Sequence, residues 1–286
     1  MWPRVMAAGL GRLCYTANAL FWERPFLGPI YAWVSSVGGL DRKVAVPWAI
    51  KFILSWIASR LRADGRLQEP PSITGEAMEL FRSDAKAEGG KAWIGAWETR
   101  FSLDPKKCRW FYLEVTRDWA PWAFSKKDPN RVIAALELLG NLAAIMVFGD
   151  SWPRDRRGKC IGIGFSDNLG NTYIVAKGMT TKYPITLILM ELSEQLRSRG
   201  MEMSVTWKRR DENQEADDLT NLVFDKFSPE LEVKVDPLNL KWLVLPGLMK
   251  SSELLYKQIV ERRASKGFEA VPTTAKFLRK KLLSPW

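Results

Sequence analysis

The rhythm of apolar and polar positions changes near residue 78. Upstream it follows a helical period: in VPWAIKFILSWIASRLR, residues Trp48, Phe52, Ile53 and Trp56 share one face, while Pro25, Pro29 and Pro47 mark breaks or helix starts. Residues 5–66 therefore read as helical, followed by a polar, turn-rich linker, ADGRLQEPPSITGE. Downstream, shorter runs predict strands. MELFRSD is a first strand ending at Asp84, Gly89-Gly90 supplies a turn, and AWIGAWE is the second strand. CRWFYLEVT is a third, GKCIGIGFS a fourth whose apolar character suits a sheet interior, and MSVTWKRR a fifth. DPNRVIAALELLGNLAAIMVFG predicts a helix opened by Asp128 or Asn130. YPITLILMELSEQLRSRGM predicts another, started near Pro184 and stopped at Gly200. A last helix of this region begins near DENQEADDLTNLVF, and residues 240–286 form a basic tail with some helix in SSELLYKQIVERRAS.

The resulting order is β-β-β-α-β-α-β-α. Three consecutive strands make an antiparallel meander, and the later crossovers through helices require parallel pairing. The expected architecture is α/β, a mixed five-stranded sheet flanked by helices. It divides into a helical module over 1–66, a linker over 67–77, the sheet domain over 78–239 and the basic tail over 240–286. A chain of 286 residues has room for one good core and a flanking module.

Composition narrows the chemistry. Histidine is absent, which removes Ser-His-Asp triads, Cys-His dyads and histidine metal sites together. Hydrolysis would have to come from carboxylates with a divalent metal. Cys14, Cys108 and Cys160 are scattered, odd in number and without metal-ligand spacing, which fits a reducing compartment. Arginines cut the apolar N-terminus, and AVPWAIKFILSWIASRL is interrupted by Pro47, Lys51 and Arg60. The expectation is a soluble intracellular protein, nuclear or cytoplasmic, with no membrane partner. The net charge of +11 divides into +6 over residues 1–66, +7 over 241–286 and −2 between them. Basic arms beside a near-neutral centre point to a polyanion, most simply nucleic acid, against the plainer reading of an ordinary solvated surface.

Four carboxylates stand in telling places. Asp84 and Asp167 close strands, and turn chemistry alone would explain either. Asp217, or its neighbour Asp218, could be a first-turn acid stabilised by a helix dipole. Glu137 sits between two leucines in AALELLGNLAA, at the edge of a buried stripe or aimed at a partner such as a metal. If strands one and four are neighbours, Asp84 and Asp167 lie side by side and repel unless protonated or bridged by a cation. Oxygen-only ligands suit Mg²⁺ or Mn²⁺.

The succession SDAKAEGGKAWIGAW, ALELLG, SDNLGNTY and NQEADDLTN, over about residues 78–225, resembles the ribonuclease H domain of retroelement reverse transcriptases, most of all the DIRS-like type. The resemblance implies a ribonuclease H-like fold in which Asp84, Glu137, Asp167 and Asp217 hold two Mg²⁺ or Mn²⁺ ions. It implies hydrolysis of the RNA strand of RNA–DNA hybrids. Asn168, Asn171 and Thr172, with Lys208, Arg209 and Arg210, are the candidate nucleic-acid contacts. The stretch GRLCYTANALFWERPFLGPIYAW is similar to the thumb-like connection that follows the polymerase palm in such elements. No palm is expected in this chain, because its one Asp-Asp pair, Asp217-Asp218, follows Glu-Ala rather than an aromatic pattern. The polymerase portion of the element is then the implied partner. The loop histidine of many ribonucleases H has no counterpart here, and Lys208, Arg209 and Arg210 would not replace a group that titrates near neutrality. Two alternatives stay open: a catalytically silent nucleic-acid-binding module on the same fold, and a transposase-type strand transferase.

Overall fold

The alternation after residue 77 builds a hairpin first. Strands β1 (Met78–Glu88) and β2 (Lys91–Glu98) pair antiparallel across Gly89-Gly90, whose φ angles of 59° and 79° are those of a tight hairpin turn. β3 (Trp110–Val115) continues the meander on β2, while β4 (Cys160–Ser166) and β5 (Met201–Trp207) add in parallel on the other side of β1. The sheet order is β3-β2-β1-β4-β5. This is the mixed five-stranded sheet flanked by helices that the residue pattern predicts, with β1 and β4 adjacent. The structure is a computed structural model that describes residues 1–17, 21–64, 77–156 and 158–265.

Three helices precede the sheet: α1 (Pro3–Thr16), α2 (Leu27–Val37) and α3 (Trp48–Asp64). α4 (Ile133–Phe148) follows β3, α5 (Leu169–Lys177) and α6 (Ile185–Ser198) lie between β4 and β5, and α7 (Gln214–Thr220) and α8 (Leu245–Ser265) complete the chain. Residues Pro129–Ser151 are long and apolar enough to cross a membrane, yet 83% of their apolar window is buried inside the protein. α4 is the central core helix, packed between the sheet and α6. One continuous apolar cluster joins residues of α1–α3, the sheet, α4, α6 and α8, among them Trp33, Ile53, Leu139, Leu187 and Leu255. A smaller cluster of Trp97, Trp110, Leu219 and Phe227 lies where α7 packs against β1, β2 and β3.

The Glu191 carboxylate, fully buried on α6, ties α8 to this body. It accepts hydrogen bonds from the backbone N–H groups of Leu243, Val244 and Leu245 at 2.9, 2.7 and 2.9 Å, and from Gln195 at 2.6 Å. The amides that open α8 are therefore satisfied by a charge from another element.

Three local details differ from the expectation. β1 runs on to Glu88, so Asp84 sits within the strand rather than at its end. The two residues after β4 do not lead into a plain turn: Asn168 caps α5, its side chain accepting from the Asn171 N–H at 3.1 Å. In β4 the glycine face is the packed one. A Cβ on Gly162 would come within 2.4 Å of Leu80, and one on Gly164 within 2.4 Å of Phe81. Ile161 is exposed and Ile163 and Phe165 are half-buried, because the large side chains of β1 fill the space above the glycines. The expected linker lies outside the described residues except at Ala77, as do residues 266–286 of the basic tail.

Candidate active site

Close packing of two helices onto β1 creates the site. At Gly140 of α4 a Cβ would stand 3.2 Å from the Asp84 carbonyl oxygen, and at Gly95 of β2, paired with Asp84, one would stand 2.8 Å from the Leu219 Cβ of α7. These two absent side chains let α4 and α7 approach the middle of β1. α4 carries Glu137, α7 carries Asp217, and Asp167 follows the adjacent strand β4. Asn213, buried just before α7, donates from its amide to the Ser83 carbonyl at 3.2 Å and holds that loop against β1.

Asp84 feels the charges of Asp167 and Asp217, and Glu137 those of Asp167 and Asp84. Asp84, 3% exposed, has its pKa pushed up to about 7, first by burial and then by the charge of Asp167, with Asp217 adding to it. The Thr220 hydroxyl, donating to Asp84 Oδ2 at 2.9 Å, opposes that rise. Glu137, 8% exposed, is pushed up to about 8 by burial, then by Asp167 and Asp84, and a hydrogen bond from Asn168 opposes it. The Ser166 hydroxyl donates to Glu137 Oε2 at 3.2 Å. Asp167 is anchored through its backbone carbonyl, which accepts from the Trp207 indole at 3.0 Å, while its Oδ1 is buried without a hydrogen-bond partner. Asp217 Oδ2 accepts from Asn221 at 2.8 Å. Asp218 turns elsewhere, to an ion pair with Lys226 at 2.8 Å.

Arg210 closes the open side. Its Nε lies 3.5 Å from Asp167 Oδ2 and 3.8 Å from Asp217 Oδ1. The other candidate contacts are placed less uniformly. Lys208 sits 4.4 Å over the Phe165 ring and 3.8 Å from Glu79, and Arg209 pairs with Asp211 at 3.0 Å. Asn168 serves as a helix cap and a Glu137 partner. Asn171 is fully buried and donates to the Ala134 carbonyl at 2.9 Å, so its place is in the packing of α5 on the start of α4. Thr172 is half-buried with a hydroxyl that has no partner.

Ser166, Asn213 and Thr220 were not among the sequence candidates. Thr220 lies one helical turn after Asp217, a spacing that marks a shared helix face. Nothing local marks Ser166, whose neighbour Glu137 is supplied by tertiary packing.

An all-oxygen donor set, two carboxyls raised by burial and then by neighbouring negative charge, and an orphaned Asp167 oxygen suit a hard divalent cation. Among the described residues, no three His, Cys, Asp or Glu side chains stand in a geometry that could hold a metal ion, and the positive charge between Asp167 and Asp217 is that of Arg210.

No protein-family model matches the chain, and no curated protein sequence matches it. Similar solved structures include the N-terminal RNase H domain of rv2228c from Mycobacterium tuberculosis, at 16% identity and a TM-score of 0.35, covering 52% of this chain and 95% of that one. RNase H1 from Halobacterium salinarum NRC-1 is similar at 16% identity and a TM-score of 0.36, covering 51% of this chain and 98% of that one. LC11-RNase H1, solved in complex with an RNA/DNA hybrid, is similar at 19% identity and a TM-score of 0.35, covering 51% of this chain and 96% of that one.

Proposed function

We propose that the chain is a ribonuclease H-type endonuclease that hydrolyses the RNA strand of RNA–DNA hybrids, in the setting of a retroelement reverse transcriptase. One observation carries the reading: the charge of Asp167, just after β4, bears on both Asp84 of β1 and Glu137 of α4, and Asp217 of α7 bears on Asp84. Two Mg²⁺ or Mn²⁺ ions would be held by these carboxylates and would supply charge stabilisation for displacement at phosphorus. The protein's own part is to orient them. Thr220 and Ser166 hold Asp84 and Glu137, and Trp207 holds the backbone beside Asp167. Recognition of the hybrid would be by shape and 2′-hydroxyl contacts, with Lys208, Arg209 and Arg210 next to the acids. The retroelement setting rests on the four motifs in order and on the thumb-like N-terminal stretch, and the polymerase portion is the partner it implies.

A second reading, a silent nucleic-acid-binding module, is favoured by the absence of a ready three-donor metal geometry among the described residues. Incubation of a labelled RNA–DNA hybrid with Mg²⁺ or Mn²⁺, comparing wild type with Asp167→Asn, separates the two. Metal-dependent cleavage reduced about 100-fold or more by the substitution is expected. Cleavage that survives Asp167→Asn sinks this site, and salt-sensitive binding without cleavage identifies the silent module.

A further inference from the structure

Arg210 holds a position that its neighbours do not. Arg209, beside it, makes a local pair with Asp211 two residues on. Arg210 instead reaches two acids far apart in sequence, Asp167 and Asp217, the two more exposed members of the set. Its contacts, 3.5 and 3.8 Å, are longer than hydrogen bonds, and its side chain is 73% exposed. Charge alone holds it there, without the bidentate fork that would lock a guanidinium onto one carboxylate. An arginine so placed neutralises a cluster of acids and can leave at little cost, since exposed ion pairs are weak.

We propose that Arg210 is the exchangeable counter-cation of this site: a divalent ion displaces its guanidinium from Asp167 and Asp217, and the freed guanidinium then binds a backbone phosphate of the substrate. The proposal rests on the nuclease reading of the same carboxylates. It makes metal and nucleic-acid binding cooperative, because the ion that displaces Arg210 releases a phosphate-binding group. Asp167 and Asp217, whose Oδ2 and Oδ1 Arg210 faces, are the residues that would hold the entering ion.

The test is calorimetric titration of the full chain with Mn²⁺, without nucleic acid, in wild type, Arg210→Gln, Arg210→Lys, Arg209→Gln and Asp167→Asn. Arg210→Gln is expected to bind Mn²⁺ about three- to tenfold more tightly, with Arg210→Lys near wild type and Arg209→Gln unchanged. Equal gains in Arg209→Gln and Arg210→Gln mean general charge relief and overturn the proposal. Unchanged affinity in Arg210→Gln, with binding that still requires Asp167, overturns it and leaves the metal site standing. Wild-type protein with no Asp167-dependent Mn²⁺ binding overturns both. A second readout uses a hybrid with 2′-O-methyl riboses, which resists hydrolysis. Mn²⁺ should tighten its binding more in wild type than in Arg210→Gln, and an equal gain in the two rules out transfer to phosphate.

Discussion

Asp84 and Glu137 are buried acids whose charge the fold disfavours until a cation arrives. Their folded pKa values, about 7 and about 8, lie above the ordinary 3.8 and 4.5, so between those limits the folded state binds more protons than the unfolded one. Stability from these groups is fully present below about pH 4 and is lost as pH rises through 7 to 8. Metal-free protein should therefore melt at a lower temperature at pH 8.5 than at pH 5.5, and Mn²⁺ should close most of that gap. A melting temperature that rises with pH would contradict the charge arrangement. The same reasoning predicts that Asp84→Asn raises the metal-free melting temperature at pH 8.5 by several degrees while removing metal-dependent cleavage. Differential scanning calorimetry and the hybrid assay together check it. The acids themselves were legible as residue types in motifs. Their perturbation was not, because it depends on burial and on charged partners 30 to 133 residues away in the chain.

Two contacts between elements place the machinery. α7 reaches Asp84 because Gly95 has no side chain, so Gly95→Ala should push Leu219 outward, cost about 1–3 kcal/mol and weaken cleavage along with stability. Urea denaturation measures the first effect, and unchanged stability would show that α7 rests elsewhere. α8 is held by Glu191, whose removal as Glu191→Ala leaves three backbone N–H groups without their acceptor. A loss of at least about 3 kcal/mol is expected, with faster amide exchange at the start of α8. Slow exchange there in the variant would mean that packing alone holds the helix. The hairpin β1–β2 and the long helices α4 and α6 were readable from paired glycines and apolar runs. α5 was not: Asp167-Asn168 reads equally as a turn or a helix start, and nine residues are too few for the periodicity to decide.

Across the whole molecule, the segments carrying +6 and +7 flank a centre of −2 that contains the acidic site. Substrate affinity should come from the flanks and fall steeply with ionic strength, by about 100-fold or more between roughly 50 and 200 mM salt. Fluorescence anisotropy on a labelled hybrid gives the slope, and a flat dependence would overturn an electrostatic role for the flanks. The sequence by itself determined the four acids as residue types, the absence of histidine, the order of the strands and of the long helices α4 and α6, and the turn between β1 and β2. Each of these is local, written in residue types or in periods a few residues long. Only the tertiary structure decided that the glycine face of β4 is the packed one and that Asn171 is buried. It also decided that Ser166, Thr220 and Arg210 surround the carboxylates. Those facts depend on which elements close over which. The contacts of Ser166 with Glu137 and of Thr220 with Asp84 join positions 29 and 136 residues apart, and no local preference encodes them.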